Sequence, residues 1–339
     1  MIKTVLVVGG AGYIGSHMAK FLSQKDIHVV ILDNLSTGYA SLAKYGELIV
    51  GDFGDAALLD ELFEEFDIDA VMHFGAASLV GESVINPSKY FENNVSKTLV
   101  LLNSMINAGC LNFIFSSTAA VFGNPKYLPL DEQHQKVPIN PYGRSKLMVE
   151  GVLEDYASAY GLSSVALRYF NAAGADPDCE LGESHDPETH LIPLILKAAL
   201  GVRESISIFG TDYDTPDGTC IRDYIHIKDL CSAHWAALNF LNSQTNNGAY
   251  SFNLGNGVGF SVREIIELAK IIVLEDGFDI HVEECPRREG DPDRLIANSN
   301  SARSELGWEP ELGDLEIIIR HAWEWEKSKL NTTDFIKKD

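Results

Sequence analysis

A glycine-rich turn near the start of the chain limits what it can fold into more than any other stretch. Residues 5–8 are all valine or leucine, which predicts a buried parallel strand, and Gly9, Gly12 and Gly15 follow it before an amphipathic helical pattern. Glycine allows a tight turn, lets the backbone approach a pyrophosphate and lets the helix pack closely on the strand. The helix N-terminus then presents unpaired N–H groups to an anion. The stretch therefore predicts a dinucleotide-binding turn.

The next predicted strand supplies the side chain that selects the dinucleotide. Residues 28–32 form a second, largely apolar run, and Asp33 follows it at roughly the 20-residue separation typical of a ribose-binding acid. A carboxylate at this position suits the free ribose hydroxyl of NAD and repels the 2′-phosphate of NADP. We therefore expect NAD as the cofactor; an α/β turn that binds no phosphate is the alternative.

The order of the predicted elements gives the fold class. Apolar runs alternate with amphipathic helical patterns up to residue 174, which predicts an α/β protein with a Rossmann-type, doubly wound parallel sheet. Beyond that residue the loops lengthen and proline and acidic residues increase. We expect an NAD-binding domain over residues 1–174, a smaller α/β domain over 175–330 that mainly binds the substrate, and a polar tail over 331–339.

The overall composition excludes several classes of partner. The chain has 339 residues, of which 45% are hydrophobic, and a formal net charge of −23. Its apolar runs fall short of the roughly 18 residues of a membrane-spanning helix. The negative charge argues against nucleic acid or an anionic membrane as a partner. Since the first strand begins almost at the first residue, we expect no signal peptide and a cytoplasmic protein.

The spacing of cysteine and histidine predicts neither a disulfide nor a metal site. The chain has five cysteines without a C-x-x-C pair and ten histidines without an H-E-x-x-H pattern. The cysteines are Cys110, Cys179, Cys220, Cys231 and Cys285. We expect no disulfide framework and no bound metal.

A tyrosine, a lysine and a threonine form the candidate catalytic group. Asn140 and Pro141 carry the N-cap and first-position signals of a helix. Tyr142 then lies in the first turn, and Lys146 lies one turn later on the same face. Thr118 follows another predicted strand. A nearby ammonium and a positively charged nicotinamide ring favour the phenolate, which is a general base for a secondary alcohol. A chance Y-x-x-x-K pattern is the alternative.

With these motifs the chain resembles the short-chain dehydrogenase/reductase superfamily, in its extended, nucleotide-sugar branch that includes 4-epimerases. The likeness extends over about residues 2–325. It is carried by GGAGYIGSH (9–17), DNLS (33–36), VGES (80–83), NNV (93–95), FSSTAAVFG (115–123), PYGRSK (141–146), LRYFN (167–171), IRDYIH (221–226) and RREGD (287–291). The glycine motif and Y-x-x-x-K occur throughout the superfamily, whereas the two arginine motifs are more specific to epimerase-like members.

The resemblance implies a reaction and a set of roles. It implies that UDP-glucose and UDP-galactose are interconverted: C4 is oxidised by bound NAD to a 4-keto sugar, the sugar turns, and the hydride returns to the opposite face. Tyr142 becomes the base, Lys146 its partner and a ligand of the nicotinamide ribose, and Thr118 a second hydroxyl at the substrate oxygen. The resemblance also implies a homodimer formed through the helices that begin at Pro87 and Pro141.

Two sets of binding residues follow. The predicted cofactor-binding residues are Gly9, Gly12, Tyr13, Ile14, Gly15, Asp33, Asn34, Ser36, Asp52, Phe53, Phe74, Ala76, Asn93, Ser116, Tyr142, Lys146 and Tyr169. The predicted substrate-binding residues are Thr118, Tyr142, Asn171, Leu191, Phe209, Arg222, Arg288, Asp291 and Leu295. Within these sets, Asp52 and Phe53 are expected at the adenine and Phe209 near the uracil. For Arg222, a structural ion pair with the neighbouring Asp223 is the alternative.

Two departures from the family pattern bear on the cofactor and the substrate. Ser78 stands where some members have a lysine at the cofactor pyrophosphate, so retention of the cofactor can differ. Leu295 stands where some have a tyrosine that limits the size of the sugar, and leucine leaves room for the N-acetyl group of UDP-N-acetylglucosamine or UDP-N-acetylgalactosamine. UDP-glucuronate is a further alternative substrate. A 4,6-dehydratase needs an acidic pair where this chain has Ala119 and Ala120, which argues against that reaction. An inactive NAD-sensing protein is the remaining alternative.

Overall fold

The computed structural model describes residues 2–288 and 291–330. The predicted polar tail over residues 331–339 lies outside the described residues, as do Glu289 and Gly290 of the second arginine motif.

The strands and helices follow one another as the alternating apolar pattern predicts. The strands are β1 (Thr4–Val8), β2 (His28–Asp33), β3 (Glu47–Val50), β4 (Ala70–His73), β5 (Asn112–Ser116), β6 (Ser163–Tyr169), β7 (Asn171–Ala173), β8 (Ile206–Phe209), β9 (Ile221–His226), β10 (Ala249–Leu254), β11 (Gly259–Ser261), β12 (Val282–Cys285) and β13 (Arg294–Leu295). The α-helices are α1 (Tyr13–Ser23), α2 (Ala56–Glu65), α3 (Val80–Ile85), α4 (Pro87–Phe91), α5 (Lys97–Ala108), α6 (Pro141–Tyr160), α7 (Leu191–Ala199), α8 (Ile227–Ser243), α9 (Val262–Leu274), α10 (Asn300–Leu306) and α11 (Leu315–Lys329).

The large sheet is parallel and covered on both faces. Its strand order is β10-β6-β5-β4-β1-β2-β3, and each neighbouring pair is parallel. In β1, Val5 and Val7 face the core beneath α1 and α8, while Leu6 and Val8 face the core beneath α2, α5 and α6. A strand buried on both faces must be apolar at every position, which explains the continuous run. The predicted doubly wound, Rossmann-type sheet is confirmed.

The chain leaves this sheet after β6 and later returns to it. Strand β10 pairs with β6 as the seventh strand, and α8 packs beside α1 on one face of the sheet. The range 175–330 therefore contributes to the large sheet as well as to a second layer of structure. The division of the chain at residue 174 stays a prediction.

The second layer has a core of its own. Strand β9 pairs with β7, β11 and β13, and β8 pairs with β12. Helices α7, α9 and α11 enclose an apolar cluster with β8. Helix α9 begins with a reciprocal cap, in which Ser261 and Glu264 each accept a hydrogen bond from the other's backbone N–H. This layer lies beside the carboxyl ends of the large sheet, because β7 directly follows β6.

The predicted cap at Asn140 is confirmed, because its side chain accepts a hydrogen bond from Gly143 at the start of α6. Asp55 caps α2 in the same way and accepts hydrogen bonds from Ala57 and Leu58. Asn86 and Pro87 have the same sequence signal before α4, but the Asn86 side chain makes no capping hydrogen bond. The helical region after Asn86 consists of three segments: α4, a π-helical turn over Glu92–Ser96, and α5. Such turns insert a residue into a helix and are frequent at functional sites.

Two expectations about the whole chain can be compared with the structure. The five cysteines all lie in the described residues and all are free thiols. Among residues 2–288 and 291–330, no helix combines the length and apolar character that crossing a bilayer demands.

Candidate active site

The glycine turn brings three backbone segments into contact. Gly9 has φ +79°, a conformation that favours glycine, and a Cβ at this position would lie 2.6 Å from the backbone nitrogen of Gly75. A Cβ at Gly15 would overlap the carbonyl oxygen of Gly9. At Gly12 the nearest atom to an added Cβ is 3.4 Å away. Gly9 and Gly15 are therefore required by the packing of the protein itself, whereas Gly12 leaves open space at the N-terminus of α1, where a phosphate fits.

Asp33 lies at the end of β2 beside this turn. One carboxylate oxygen accepts a hydrogen bond from Ala11 N at 2.9 Å, and the other accepts one from Leu35 N at 2.8 Å. Burial raises the pKa of Asp33, and the two backbone N–H groups act in the opposite direction. The structure thus places the predicted ribose ligand next to the predicted pyrophosphate turn, and the residues present fit a dinucleotide.

Asp52 and Phe53, just past the end of β3, both have partners within the protein. The Asp52 carboxylate forms an ion pair with Lys97 at 2.6 Å and accepts a hydrogen bond from the Asn34 amide at 3.1 Å. Burial opposes ionisation of Asp52, but hydrogen bonds led by Lys97 outweigh it and lower its pKa. Phe53 is buried, and its ring packs 4.8 Å from that of His73. The adenine roles of Asp52 and Phe53 stay predictions. Ser36 donates its backbone N–H to Asn34.

Tyr13, predicted at the cofactor, also has a structural contact. Its hydroxyl donates to the carbonyl of Gly174 at 2.7 Å, which joins α1 to the segment after β7. Burial raises the pKa of the Tyr13 phenol well above its usual range. Ile14 packs against the apolar core that α1 shares with the sheet, and so does Phe74, whose ring lies 4.9 Å from that of His234.

An asparagine that the sequence analysis did not single out connects two parts of the site. Asn94, in the π-helical turn, accepts a hydrogen bond from Ala77 N and donates to Ala77 O, both at 2.9 Å. It also donates to the hydroxyl of Ser145 on α6 at 3.0 Å. Asn94 therefore holds the loop after β4, which contains Ala76, against the helix that carries Tyr142. The predicted ligand Asn93 donates to the same side chain at 3.2 Å.

Helix α6 and strand β5 bring the three candidate catalytic side chains together. Burial raises the pKa of Tyr142, and a hydrogen bond with the Thr118 hydroxyl acts to lower it. The Lys146 ammonium donates to the carbonyl of Ser116 at 2.8 Å, at the end of β5. Burial lowers the pKa of Lys146 to about 7. The Thr118 hydroxyl therefore lies near the phenol of Tyr142, and the amine of Lys146 is directed to the strand end. The catalytic roles of the three residues stay predictions. The hydroxyls of Ser116 and Tyr169 form a short hydrogen bond.

A buried ion pair between β6 and α6 holds the helix that carries Tyr142 and Lys146. Arg168 on β6 and Glu150 on α6 form two hydrogen bonds, at 2.9 and 2.7 Å, with only 2% and 6% of their side chains exposed. Ser117 donates its hydroxyl to the same carboxylate at 2.6 Å. The Glu150 carboxylate also acts to raise the pKa of Lys146. Since Glu150 lies one turn beyond Lys146, this network fixes α6 relative to the ends of β5 and β6.

Six of the predicted substrate-binding residues line one cavity of about 300 Å³. They are Asn171, Leu191, Phe209, Arg222, Arg288 and Asp291. The Arg288 guanidinium lies 3.9 Å from the centre of the Phe209 ring, a stacking distance. Arg222 forms an ion pair with Asp291 at 3.4 Å. Asp223 is fully buried and accepts hydrogen bonds from Ala297, Asn256 and Gly257 instead, so the alternative pairing within the Arg222–Asp223 motif is wrong.

Leu295 lies close to this cavity on a neighbouring strand. It is opposite Arg222 in the pairing of β13 with β9. It packs against the apolar cluster of Val121, Phe122 and Leu130. The residue predicted to limit the size of the sugar is therefore beside one of the predicted diphosphate ligands and near the segment that follows Thr118.

Comparison with known proteins identifies the family of this chain. The sequence profile of the NAD dependent epimerase/dehydratase family matches residues 5–255. The chain belongs to this family. It is 50% identical to a UDP-glucose 4-epimerase of Halalkalibacterium halodurans over 323 residues, which is 95% of each chain.

Solved structures of the family are similar over nearly the whole chain. The UDP-glucose 4-epimerase of Brucella ovis in complex with NAD superposes with a TM-score of 0.90 at 48% identity, covering 95% of this chain and 97% of that one. The UDP-Glc/GlcNAc 4-epimerase of Campylobacter jejuni superposes with a TM-score of 0.83 at 43% identity, covering 96% and 99%.

The ion pair beneath the site generates a prediction about stability. Replacing Glu150→Gln leaves the buried Arg168 guanidinium without its counter-charge, so the free energy of unfolding should fall by about 3–5 kcal/mol. Urea denaturation followed by circular dichroism measures this change. Glu154→Gln, one turn further along α6 at an exposed position, is the matched control and should change stability by less than about 0.5 kcal/mol. Equal midpoints for the two variants would contradict the role given to the pair.

Proposed function

We propose that the chain is a UDP-glucose 4-epimerase that interconverts UDP-glucose and UDP-galactose with NAD. The observation that carries the proposal is that Tyr142 and Lys146 on α6 lie at the carboxyl end of β5 near Thr118, where the Lys146 amine donates to the carbonyl of Ser116 at 2.8 Å, with a separate cavity lined by Arg222 and Arg288. One site suits proton transfer, and the other suits a nucleoside diphosphate. The relatives named above carry the same activity in their names.

The cofactor fits the first part of the site. Gly12 and the N-terminus of α1 would donate backbone N–H groups to the pyrophosphate, and the Asp33 carboxylate would accept hydrogen bonds from the ribose hydroxyls, as the sequence predicts. NAD, when bound, accepts hydride from C4 of the sugar and returns it, and its positive nicotinamide ring favours the phenolate of Tyr142. This effect acts against the burial that raises the pKa of Tyr142 in the protein alone.

The proton is moved by the side chains of α6 and β5. Tyr142 removes the proton from the O4 hydroxyl as the C4–H bond breaks, and Thr118 donates to the same oxygen. When the hydride returns to the opposite face of the 4-keto sugar, Tyr142 gives the proton back. Lys146 holds its amine at the end of β5 through the carbonyl of Ser116, and burial lowers the pKa of this amine. No net oxidation results.

The cavity holds the part of the substrate that stays in place while the sugar turns. Arg222 and Arg288 bind the diphosphate against an overall charge of −23, and Phe209 with its stacked arginine provides a flat surface for the uracil. Asn171 and Leu191 complete the wall. The sugar itself needs few strong contacts, because tight binding of one face would prevent the turn.

Of the alternatives, two lose support. An inactive NAD-sensing protein has no need for the phenol of Tyr142 and the ammonium of Lys146 one helical turn apart at the strand ends. A different nucleotide sugar as the main substrate is not favoured, since the similar chains are named for UDP-glucose. The roles of the individual site residues remain part of the proposal.

The proposal predicts the effect of removing one hydroxyl. Tyr142→Phe should lower the turnover of UDP-galactose by about 10²–10⁴, the usual loss for a general base, and should leave binding of NAD and UDP unchanged. A coupled assay for UDP-glucose and calorimetric titration with UDP measure the two effects. Tyr156→Phe removes a hydroxyl from the same helix that bonds to Asn103, and it should keep full turnover. Turnover of Tyr142→Phe within a few-fold of the unmodified protein would refute the assignment.

A second prediction concerns the breadth of the substrate. Because Leu295 is smaller than the tyrosine of some members, we expect UDP-N-acetylglucosamine to be converted as well, as the name of the Campylobacter jejuni protein states for that enzyme. Leu295→Tyr should lower kcat/KM for the N-acetyl sugar relative to UDP-galactose by at least about tenfold. Leu295→Met is the control of similar volume and should change the ratio little. The expectation fails if no N-acetyl sugar reacts where UDP-galactose does.

We also propose a homodimer, as the resemblance implies. Val84 and Ile85 on α3 and Met148 on α6, a helix that packs against α3, expose large apolar side chains. Light scattering after size exclusion should give about twice the chain mass of 37.2 kDa. Ile85→Lys together with Met148→Lys should yield monomers, whereas Val202→Lys, at an exposed site elsewhere, should not. A monomeric unmodified protein would exclude the dimer.

A further inference from the structure

Two glutamates and two histidines converge at one edge of the cavity. Glu183, His185, Glu188 and His190 lie in the segment that leads into α7, and one ligand atom of each lies within 4.8 Å of the others. Glu183 and His190 also line the proposed substrate cavity. The sequence analysis predicts no metal site, because it searched for histidines at known metal-binding spacings; here carboxylates alternate with histidines in the pattern E-x-H-x-x-E-x-H.

The carboxylates of this Glu/His cluster are buried and have unused acceptor atoms. Only 6% of the Glu183 side chain and 3% of the Glu188 side chain are exposed. Among the described residues, Glu183 Oε1, His185 Nδ1 and Glu188 Oε2 have no aligned hydrogen-bond partner. Of these atoms, Glu183 Oε1 and His185 Nδ1 lie within ion-pair distance of each other, whereas in the described part of the chain Glu188 Oε2 has no ion-pair partner nearer than Lys197. Buried polar atoms without partners are rare in folded proteins and need an explanation, for which a bound ion is one candidate.

The nitrogen and oxygen atoms of the cluster lie close to one another. Glu183 Oε1 lies 3.1 Å from His185 Nδ1 and 2.6 Å from His190 Nδ1. Glu188 Oε1 lies 3.7 Å from His185 Nδ1 and 3.3 Å from His190 Nδ1. Tetrahedral zinc with bonds of roughly 2.0–2.2 Å separates its ligand atoms by roughly 3.3–3.5 Å. Three of the four distances are near this separation, whereas Glu183 Oε1 and His190 Nδ1 are in direct contact and must move apart to share an ion.

The surrounding structure holds these side chains in place. Glu188 Oε1 accepts backbone hydrogen bonds from Thr189 at 2.8 Å and His190 at 3.0 Å, which orients the carboxylate and leaves Oε2 for a ligand. The carbonyl of Glu183 accepts a hydrogen bond from the indole of Trp325 at 2.9 Å. Such outer contacts are typical of built metal sites. The ammonium of Lys197 lies 3.9 Å from Glu188 Oε2, too far for a hydrogen bond.

A second group of acidic residues contains a cation of the protein itself. Asp176, Asp178 and Glu180 also converge, but the ammonium of Lys20 lies 2.6, 3.2 and 2.6 Å from them in turn. A cation of the protein itself therefore occupies that site. The Glu/His cluster differs because its nitrogen ligands are imidazoles, which bind transition metals as neutral donors.

We propose that Glu183, His185, Glu188 and His190 bind one divalent transition-metal ion, with zinc the best match to two imidazoles and two carboxylates. The ion joins the segment before α7 to the wall of the cavity and holds Leu191 at the start of that helix. The site goes beyond the proposed epimerase activity, and its test does not depend on that activity.

Metal analysis of the full-length protein tests the site directly. The protein is treated with a chelator, dialysed and titrated with zinc chloride, and bound zinc is measured by mass spectrometry and calorimetry. We expect about one zinc per chain and a thermal unfolding midpoint raised by a few degrees, because a ligand that binds only the folded state stabilises it. Magnesium chloride should not raise the midpoint, since Mg²⁺ prefers oxygen ligands.

Variants distinguish this site from adventitious binding. The first variant is His185→Asn alone, at a partly exposed position, and the second combines it with Glu183→Gln. Each should lower the affinity for zinc by at least about tenfold and abolish the rise in the unfolding midpoint. Asp178→Asn in the Lys20 cluster and His281→Asn at an exposed position should behave as the unmodified protein. The proposal is overturned if the unmodified protein binds no zinc, or if His185→Asn, folded by circular dichroism, binds it as tightly. In that case the four groups are two imidazolium–carboxylate pairs.

Discussion

The buried carboxylate of Glu150 is the contact on which the geometry of the site depends. It is shared by Arg168 at the end of β6 and Ser117 at the end of β5, and it belongs to the same helix as Tyr142 and Lys146. A charge with 6% of its side chain exposed is stable there only while its partner is in place. Because the helix cannot slide or rotate without breaking this bidentate pair, the phenol of Tyr142 stays at the strand ends. Asn94 holds the loop after β4 against α6 through its hydrogen bonds with Ala77 and Ser145.

The electrostatic environment differs between the arginine-lined cavity and the buried phenol of Tyr142. The chain carries a net charge of −23, so the proposed binding of a nucleoside diphosphate depends on local cations, and Arg222 and Arg288 line the cavity. Asp291 is 3.4 Å from Arg222 and holds its guanidinium in position. Tyr142 is different, because burial disfavours its charged form. In the proposed mechanism the positive ring of the cofactor offsets this effect of burial, which links proton removal to a bound oxidant.

Local signals in the sequence predicted those parts of the structure that short stretches determine. The glycine turn, Asp33, the Asn140 cap and the spacing of Tyr142 and Lys146 all depend on a few neighbouring residues. The parallel sheet followed from the alternation of apolar and amphipathic runs. Asn86 was different: its sequence resembles a cap, but the chain before it forms α3 and its side chain makes no capping bond.

What the sequence did not reveal depends on contacts between distant residues. The pairing of Glu150 with Arg168, the return of β10 to the large sheet and the π-helical turn around Asn94 have no local signature. Arg222 illustrates the difficulty: its neighbour Asp223 is the obvious partner, yet Asp223 turns inward to three backbone N–H groups and Asp291 takes its place. The Glu/His cluster was missed because its ligands alternate between two chemical types. In each case the fold decides which of several plausible partners meet.

The measurement that tests the central claim most directly is incubation of the purified protein with UDP-galactose, first without added cofactor and then with NAD, while UDP-glucose is followed by chromatography. The account predicts that UDP-glucose forms until the two sugars reach equilibrium, with no net accumulation of reduced cofactor, since hydride removed from C4 is returned to it. Failure to form UDP-glucose even with saturating NAD would contradict the account, and so would formation of NADH in proportion to the sugar consumed.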